Sequence, residues 1–132
     1  MKKLATILFL ACGPASATEL PYPPYEFSLY LSWGQIAVDV AKHCKTLAID
    51  KEQYRVLEEE NFQLLEREGF SRGNWRNEME EVPVGIRDQV NFEFYFAYGI
   101  RTGTLESEWC HAGRQAMKKN KYLDQLLTEQ WW

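Results

Sequence analysis

Two widely separated cysteines, Cys44 and Cys110, place the strongest constraint on the fold, because this 132-residue chain begins like an exported protein. Exported proteins fold in an oxidising compartment, where cysteines that occur in an even number are typically paired. The sequence therefore predicts one disulfide, Cys44–Cys110. Such a bond restricts the fold to arrangements that bring an early segment of the chain against a late one.

The start of the chain has the three parts of a secretion signal. Two lysines form a positive n-region, residues 4–11 are an apolar run, and Ala15-Ser16-Ala17 is an A-x-A cleavage site. We expect cleavage between Ala17 and Thr18. Residues 1–17 would then be a signal peptide that the mature protein lacks, and the protein would work in the periplasm or outside the cell.

A third cysteine, Cys12, lies inside this signal and offers an alternative to simple cleavage. Residues 9–13 resemble a lipobox, so a lipid anchor at Cys12 is the competing interpretation. The apolar run is too short to cross a bilayer, which takes about 20 residues, and no later segment reaches that length. The sequence therefore predicts no membrane span.

The chain is acidic, with 19 Asp and Glu against 15 Lys and Arg and a formal net charge of −4. Loss of the signal would remove two lysines and make the mature protein more acidic. Nucleic acids and anionic lipids attract clusters of Lys and Arg, which this sequence lacks. We therefore expect no nucleic-acid partner. The hydrophobic fraction of 45% supplies enough material for a core.

Prolines set residues 18–27 apart from the helical domain that we predict over residues 28–132. Pro21, Pro23 and Pro24 forbid a helix there and favour extended polyproline-type backbone. We expect a linker that behaves as a flexible stalk, since chain ends are usually poorly ordered. The alternative is a Tyr/Pro peptide that lies across the domain or meets a partner.

Apolar residues at steps of three and four predict a first helix from Ser28 to about Ile49, with Cys44 on its inner face. Asp50 and Gln53 resemble a capping box that starts a second helix, and Gly69 ends it. These two helices form the first half of the predicted domain.

Three further helices follow in the predicted order. Ser71 caps a short third helix to about Glu80, and Pro83 begins a fourth. Residues 90–96 also fit a strand, but we predict helix because a lone strand has no partner. Thr104 caps the last helix, whose apolar stripe continues as far as Leu127.

Three motifs resemble those of a family of short exported alphaproteobacterial proteins that is catalogued as a domain of unknown function. They are Val40-Ala41-Lys42-His43-Cys44, then Glu68-Gly69-Phe70-Ser71, then Trp109-Cys110-His111-Ala112-Gly113-Arg114 in a helix that closes with Leu126-Leu127. The likeness covers about residues 28–128. It implies an all-helical domain with one disulfide and no assigned activity.

A histidine stands beside each cysteine, as His43-Cys44 and Cys110-His111, and zinc takes Cys and His ligands. Adjacent helical residues diverge by about 100° around the axis, however, so they are poorly placed as ligands. A Cys nucleophile would need an unpaired thiol. We therefore predict a disulfide, with no metal site and no cofactor.

Two other sets of residues have a functional and a structural interpretation. Glu78, Glu80 and Glu81 could be paired carboxylates for acid–base catalysis, but we expect an exposed loop flank. The aromatic run from Phe92 to Tyr98 could line a ligand pocket, but we expect core, since small domains must bury their large aromatics.

The sequence thus predicts an all-α fold, a small bundle of four to five helices closed by one disulfide. No motif indicates catalysis, so the preferred function is binding, by an exported accessory protein with a protein partner. The alternatives are an immunity-type inhibitor of an exported toxin and an enzyme with an unrecognised site. A deep pocket with convergent polar groups would favour the enzyme.

Overall fold

The computed structural model describes residues 19–131, so the predicted signal peptide, Cys12 and the Ala17–Thr18 cleavage site lie outside the described part. Within it the chain is mostly helical, which confirms the predicted all-α bundle. The elements in chain order are α1 (Tyr25–His43), β1 (Leu47–Ile49), α2 (Lys51–Arg67), α3 (Trp75–Glu78), α4 (Val84–Asn91), a π-helix (Phe92–Phe96), α5 (Glu106–Met117), α6 (Lys121–Leu126) and β2 (Leu127–Glu129).

Helix α1 is the centre of the bundle and packs against α2, α4, α5 and α6. It begins at Tyr25, with Pro24 as its N-cap, and so includes three residues of the predicted linker. Phe27 and Ser28 are fully buried, which explains the earlier start: the apolar face of the helix continues back to Phe27. The predicted end at Ile49 is also wrong, because the backbone becomes extended at Cys44.

Helix α2 begins and ends as the sequence predicts. The Asp50 carboxylate accepts a hydrogen bond from the Gln53 backbone N–H at 3.0 Å, which is the capping interaction. At the other end Gly69 has φ +90°, and the Phe70 N–H donates to the Leu65 carbonyl at 2.9 Å. The glycine is needed there because other residues rarely adopt a positive φ.

A short antiparallel sheet, which was not predicted, pairs β1, the segment between α1 and α2, with β2 near the end of the chain. Leu47 pairs with Glu129, Ala48 with Thr128, and Ile49 with Leu127. Three residues are too few to show the alternation of a strand, and buried Leu47 and Leu127 fit a helical stripe equally well. The helical prediction over both segments is therefore wrong.

The predicted last helix is two helices with a break at Asn120. The Asn120 side-chain oxygen accepts from the N–H groups of Tyr122 and Leu123, both at 3.0 Å, and so caps α6. Asn120, the polar residue that interrupts the apolar stripe, is therefore the residue at which a new helix begins. Thr104 is not the cap of α5, since Leu105 holds that position and Thr104 instead accepts from the Arg101 N–H.

Helix α3 is shorter than predicted, because the turn before it uses Ser71 differently. The Ser71 backbone N–H donates to the Glu78 carboxylate at 3.2 Å, and the Ser71 hydroxyl bonds the same group. Ser71 therefore closes a loop around α3 instead of capping a helix that starts beside it. Pro83 is the N-cap of α4, one position before the predicted first turn.

The predicted disulfide Cys44–Cys110 is present and links the end of α1 to α5. Cys44 is 0% exposed and Cys110 is 8% exposed. Helix α5 approaches α1 closely beside this bond, because a Cβ on Gly113 would lie 2.7 Å from Val40 Cγ1 and 2.8 Å from Leu47 Cδ1. Packing therefore favours glycine at this mid-helix position, since any larger residue would force Val40 and Leu47 to shift.

Candidate functional site

A half-open groove of about 660 Å³ lies between α1 and α4, and we call it the α1–α4 groove. Its volume lies within the range of ligand-binding clefts, about 300–1,000 Å³. Its lining consists of Pro23, Leu31, Ser32, Gln35, Trp75, Arg76, Met79, Glu80, Glu81, Val82, Arg87, Asn91 and Tyr95.

On each of two walls of the groove, helical spacing aligns side chains that face the cavity. Leu31 and Gln35 are four residues apart on α1, and residues four apart share one side of a helix. Arg87, Asn91 and Tyr95 repeat the same step along α4 and into the π-helix. The two helices therefore present polar and apolar groups to one another across the groove.

The segment Leu20–Pro24, which we call the strap, contributes Pro23 to the lining of the groove. Pro23 is buried, and the Pro21 carbonyl accepts a hydrogen bond from the Glu80 N–H at 2.8 Å. Pro24 has φ −51° and ψ 144°, close to polyproline II. The predicted linker therefore contacts the domain at Pro21 and Pro23, while Leu20 and Tyr22 are exposed.

Charged side chains of both signs surround the apolar floor. Arg76, Arg87, Glu80 and Glu81 are all exposed, and none of the four forms an ion pair with another residue between 19 and 131. The Arg76 guanidinium lies over the Trp75 ring, 4.2 Å from its centroid. These groups are available to a ligand that enters the groove.

The predicted acidic trio does not form one site. Glu80 and Glu81 are exposed at the groove, as expected of a loop flank, whereas Glu78 is held by Ser71. Paired carboxylates for catalysis would need two acids that face the same substrate atom. The structure separates Glu78 from the other two by its hydrogen bonds.

Tyr95 lies between the groove and a second cleft, which is lined by Asp39, His43, Tyr95, Trp109 and residues 100–104. Its hydroxyl donates to the Asp39 carboxylate, which also accepts from the Gln35 side chain at 3.3 Å. Burial raises the pKa of the Tyr95 phenol, and the hydrogen bond to Asp39 raises this pKa further. The phenol therefore stays protonated at neutral pH and acts as a hydrogen-bond donor.

The second cleft contains one of the two histidines that the sequence singled out. The His43 ring stacks on Trp109 with centroids 4.3 Å apart, and its Nδ1 lies 2.8 Å from the Asp39 carbonyl. His111 lies on the exposed face of α5, in a different shallow pocket. Within the described part of the chain no three or more His, Cys, Asp and Glu side chains are placed to hold a metal ion.

The contacts around the Cys44–Cys110 disulfide are those of a structural bond and not of a reactive one. The Thr46 hydroxyl lies 3.4 Å from Cys44 Sγ and 3.7 Å from Cys110 Sγ, and Arg114 donates to this hydroxyl at 2.6 Å. Arg114 also pairs with Glu129, whose carboxyl pKa it lowers. Because both sulfurs are bonded to each other, neither is a thiolate nucleophile.

The aromatic run divides between core and surface. Phe94 is 0% exposed, whereas Phe92 and Phe96 are 60% and 73% exposed and stack on each other with centroids 4.6 Å apart. The wider turn of the π-helix carries Phe94 inward and leaves the other two on the outer side. The core prediction is thus correct for Phe94 and wrong for the exposed pair, which sequence alone could not distinguish.

From residue 19 to residue 131, no helix is both long and apolar enough to cross a membrane. Comparisons with protein-family models, with curated proteins and with solved structures find no match to this chain. The resemblance to the exported alphaproteobacterial family therefore stays a prediction from sequence motifs.

Proposed function

We propose that this is an exported, non-catalytic accessory protein that binds a segment of a partner protein in the α1–α4 groove. The observation that carries the proposal is the groove itself, with an apolar floor and four charged side chains that have no ion-pair partner among the described residues. Protein segments supply apolar side chains and charges of both signs. Trp, Tyr and Arg, all present here, dominate the binding energy of protein interfaces.

Export is supported by two independent features. The first residues follow the pattern of a signal peptide, and disulfides persist mainly in oxidising compartments. The buried Cys44–Cys110 bond links distant parts of the chain, as in a structural disulfide. Both features support the proposal that the mature protein works in the periplasm or outside the cell.

The chemistry of the groove favours binding over catalysis. Covalent catalysis requires a nucleophile hydrogen-bonded to a base, and no such pair occurs among the groove side chains. Ser32 is the groove hydroxyl closest to that role by residue type, and it makes no hydrogen bond to another described side chain. Tyr95, the other hydroxyl, is held as a neutral donor to Asp39.

Site-specific photo-crosslinking in the native compartment tests this function. A benzophenone side chain at Gln35 or Asn91, on opposite walls of the groove, is expected to capture the same partner protein. The matched control is the same probe at Arg55, which is exposed on α2 outside the groove. Equal capture from all three positions, or none from the groove positions, would contradict the proposal.

A further inference from the structure

We infer that strand β2 controls access to the Cys44–Cys110 disulfide, because it holds Thr46 over both sulfur atoms. Thr46 lies in the turn between α1 and β1, and its hydroxyl is 3.4 Å from Cys44 Sγ and 3.7 Å from Cys110 Sγ. Both cysteines are buried, whereas Thr46 is half-buried and so covers the sulfurs on a side that reaches solvent. The disulfide is protected while β2 is paired and becomes reducible when β2 detaches.

Two contacts fix Thr46 in this position, and both depend on β2. The Thr46 carbonyl accepts a hydrogen bond at 2.8 Å from the N–H of Gln130, the residue directly after β2. The Thr46 hydroxyl accepts from the Arg114 guanidinium at 2.6 Å. Glu129, in β2, holds that guanidinium through two hydrogen bonds of 2.7 and 3.0 Å. Detachment of β2 therefore removes both contacts and lets Thr46 turn away from the sulfurs.

Strand β2 can detach without unfolding of the domain, because its attachment is small. It pairs with β1 over three residues, and of its own residues only Leu127, which is next to α6, is buried. The side chains of Arg114 and Glu129 are 34% and 36% exposed, so water competes for their ion pair. Segments with few buried contacts open at a lower free energy than the whole domain.

Reduction of the uncovered disulfide is a thiol–disulfide exchange with an external dithiol. One thiolate of the dithiol attacks the sulfur of Cys110, the more exposed of the two cysteines, and forms a mixed disulfide with it. The electron pair of the broken bond leaves on Cys44 Sγ, which takes up a proton. The second thiolate of the dithiol then attacks its own sulfur in the mixed disulfide. Cys110 leaves as a thiolate and is protonated, and the reductant departs as a cyclic disulfide.

The test is the rate at which excess dithiothreitol reduces the folded, mature protein at mildly alkaline pH, followed by maleimide labelling and gel shift. We expect Glu129→Gln to be reduced about fivefold faster than the wild type, because it weakens the hold on Arg114. Arg114 lowers the pKa of the Glu129 carboxyl, so the wild-type pair is ionised at this pH. Thr46→Ala removes the covering side chain itself and should be reduced faster by a similar factor.

The matched control is Glu59→Gln, which weakens a second exposed Arg–carboxylate pair with two hydrogen bonds, that of Glu59 with Arg72. This pair makes no hydrogen bond to Thr46 or to β2, so the control should be reduced at the wild-type rate. A thermal melt verifies that each variant is folded. Equal acceleration in Glu59→Gln and Glu129→Gln, or an unchanged rate in either Glu129→Gln or Thr46→Ala, overturns the inference.

Low concentrations of urea distinguish local from global opening in the wild type. Detachment of three residues exposes little surface, so the reduction rate should hardly change with urea well below the unfolding midpoint. A rate that rises with urea as steeply as the unfolding equilibrium would show that a thiol reaches the disulfide only after global unfolding. That result would also overturn the control of access by β2.

Discussion

Replacing Cys44, Cys110 or both by serine is expected to lower the melting temperature by about 10–20 °C, by a similar amount in all three variants. The bond joins positions 66 residues apart, between the end of α1 and α5. Closing a loop of that length stabilises the fold by about 4 kcal/mol in the chain-entropy description. The free energy of unfolding of a domain is commonly about 5–15 kcal/mol in total, so loss of the disulfide removes a large share of it.

Calorimetry of the mature protein measures this effect, and the wild type in reductant is the matched control. Because the three variants and the reduced wild type lack the same cross-link, all four should melt close together. Thiol counting under denaturing, non-reducing conditions should find no free thiol from Cys44 or Cys110. Two free thiols in exported protein, or a melting temperature that the substitutions leave unchanged, would show that the bond is not structural.

The second large effect is expected at Phe94. Phe94→Ala removes a fully buried ring and should lower the free energy of unfolding by about 3–5 kcal/mol, because a cavity remains in the core. Phe92→Ala and Phe96→Ala change the same residue type on the same π-helix at exposed positions. Each of these variants loses only the stacking between Phe92 and Phe96. We therefore expect the free energy of unfolding to fall by about 1 kcal/mol or less.

Urea denaturation of the three variants provides the comparison. The urea concentration at the midpoint should be much lower for Phe94→Ala than for the wild type. The slope of the transition should be preserved, since the two proteins expose nearly the same surface on unfolding. The two exposed variants should unfold close to the wild type. A loss at Phe92 or Phe96 as large as that at Phe94 would mean that the exposed pair is buried in solution, for example in an oligomer.

Local signals in the sequence predict much of this fold. The cap at Asp50, the glycine turn at Gly69 and the apolar stripe through Val40 to Cys44 each depend on residues close together in the chain. The disulfide followed from the compartment that the start of the chain implies. These features could be found because each rests on a short-range rule with a physical cause.

The features that the sequence did not reveal depend on distant contacts. Strands β1 and β2 are stable only because Leu47–Ile49 meets Leu127–Glu129, and neither segment has a strand pattern alone. The strap is ordered by the Glu80 N–H, far along the chain. The groove likewise needs α1, α3 and α4 together, so its residues share no sequence motif.

The most direct measurement of the central claim is a map of backbone amide chemical shifts for the mature protein, titrated with the partner that the groove positions capture. We predict that the largest changes fall at Gln35 on α1, Val82 in the loop between α3 and α4, and Asn91 at the end of α4, all of which line the groove. Amides of α2 around Arg55 should change little. Large changes on α2 or on the β1–β2 sheet, with the groove amides unmoved, would contradict the claim that the groove is the binding site.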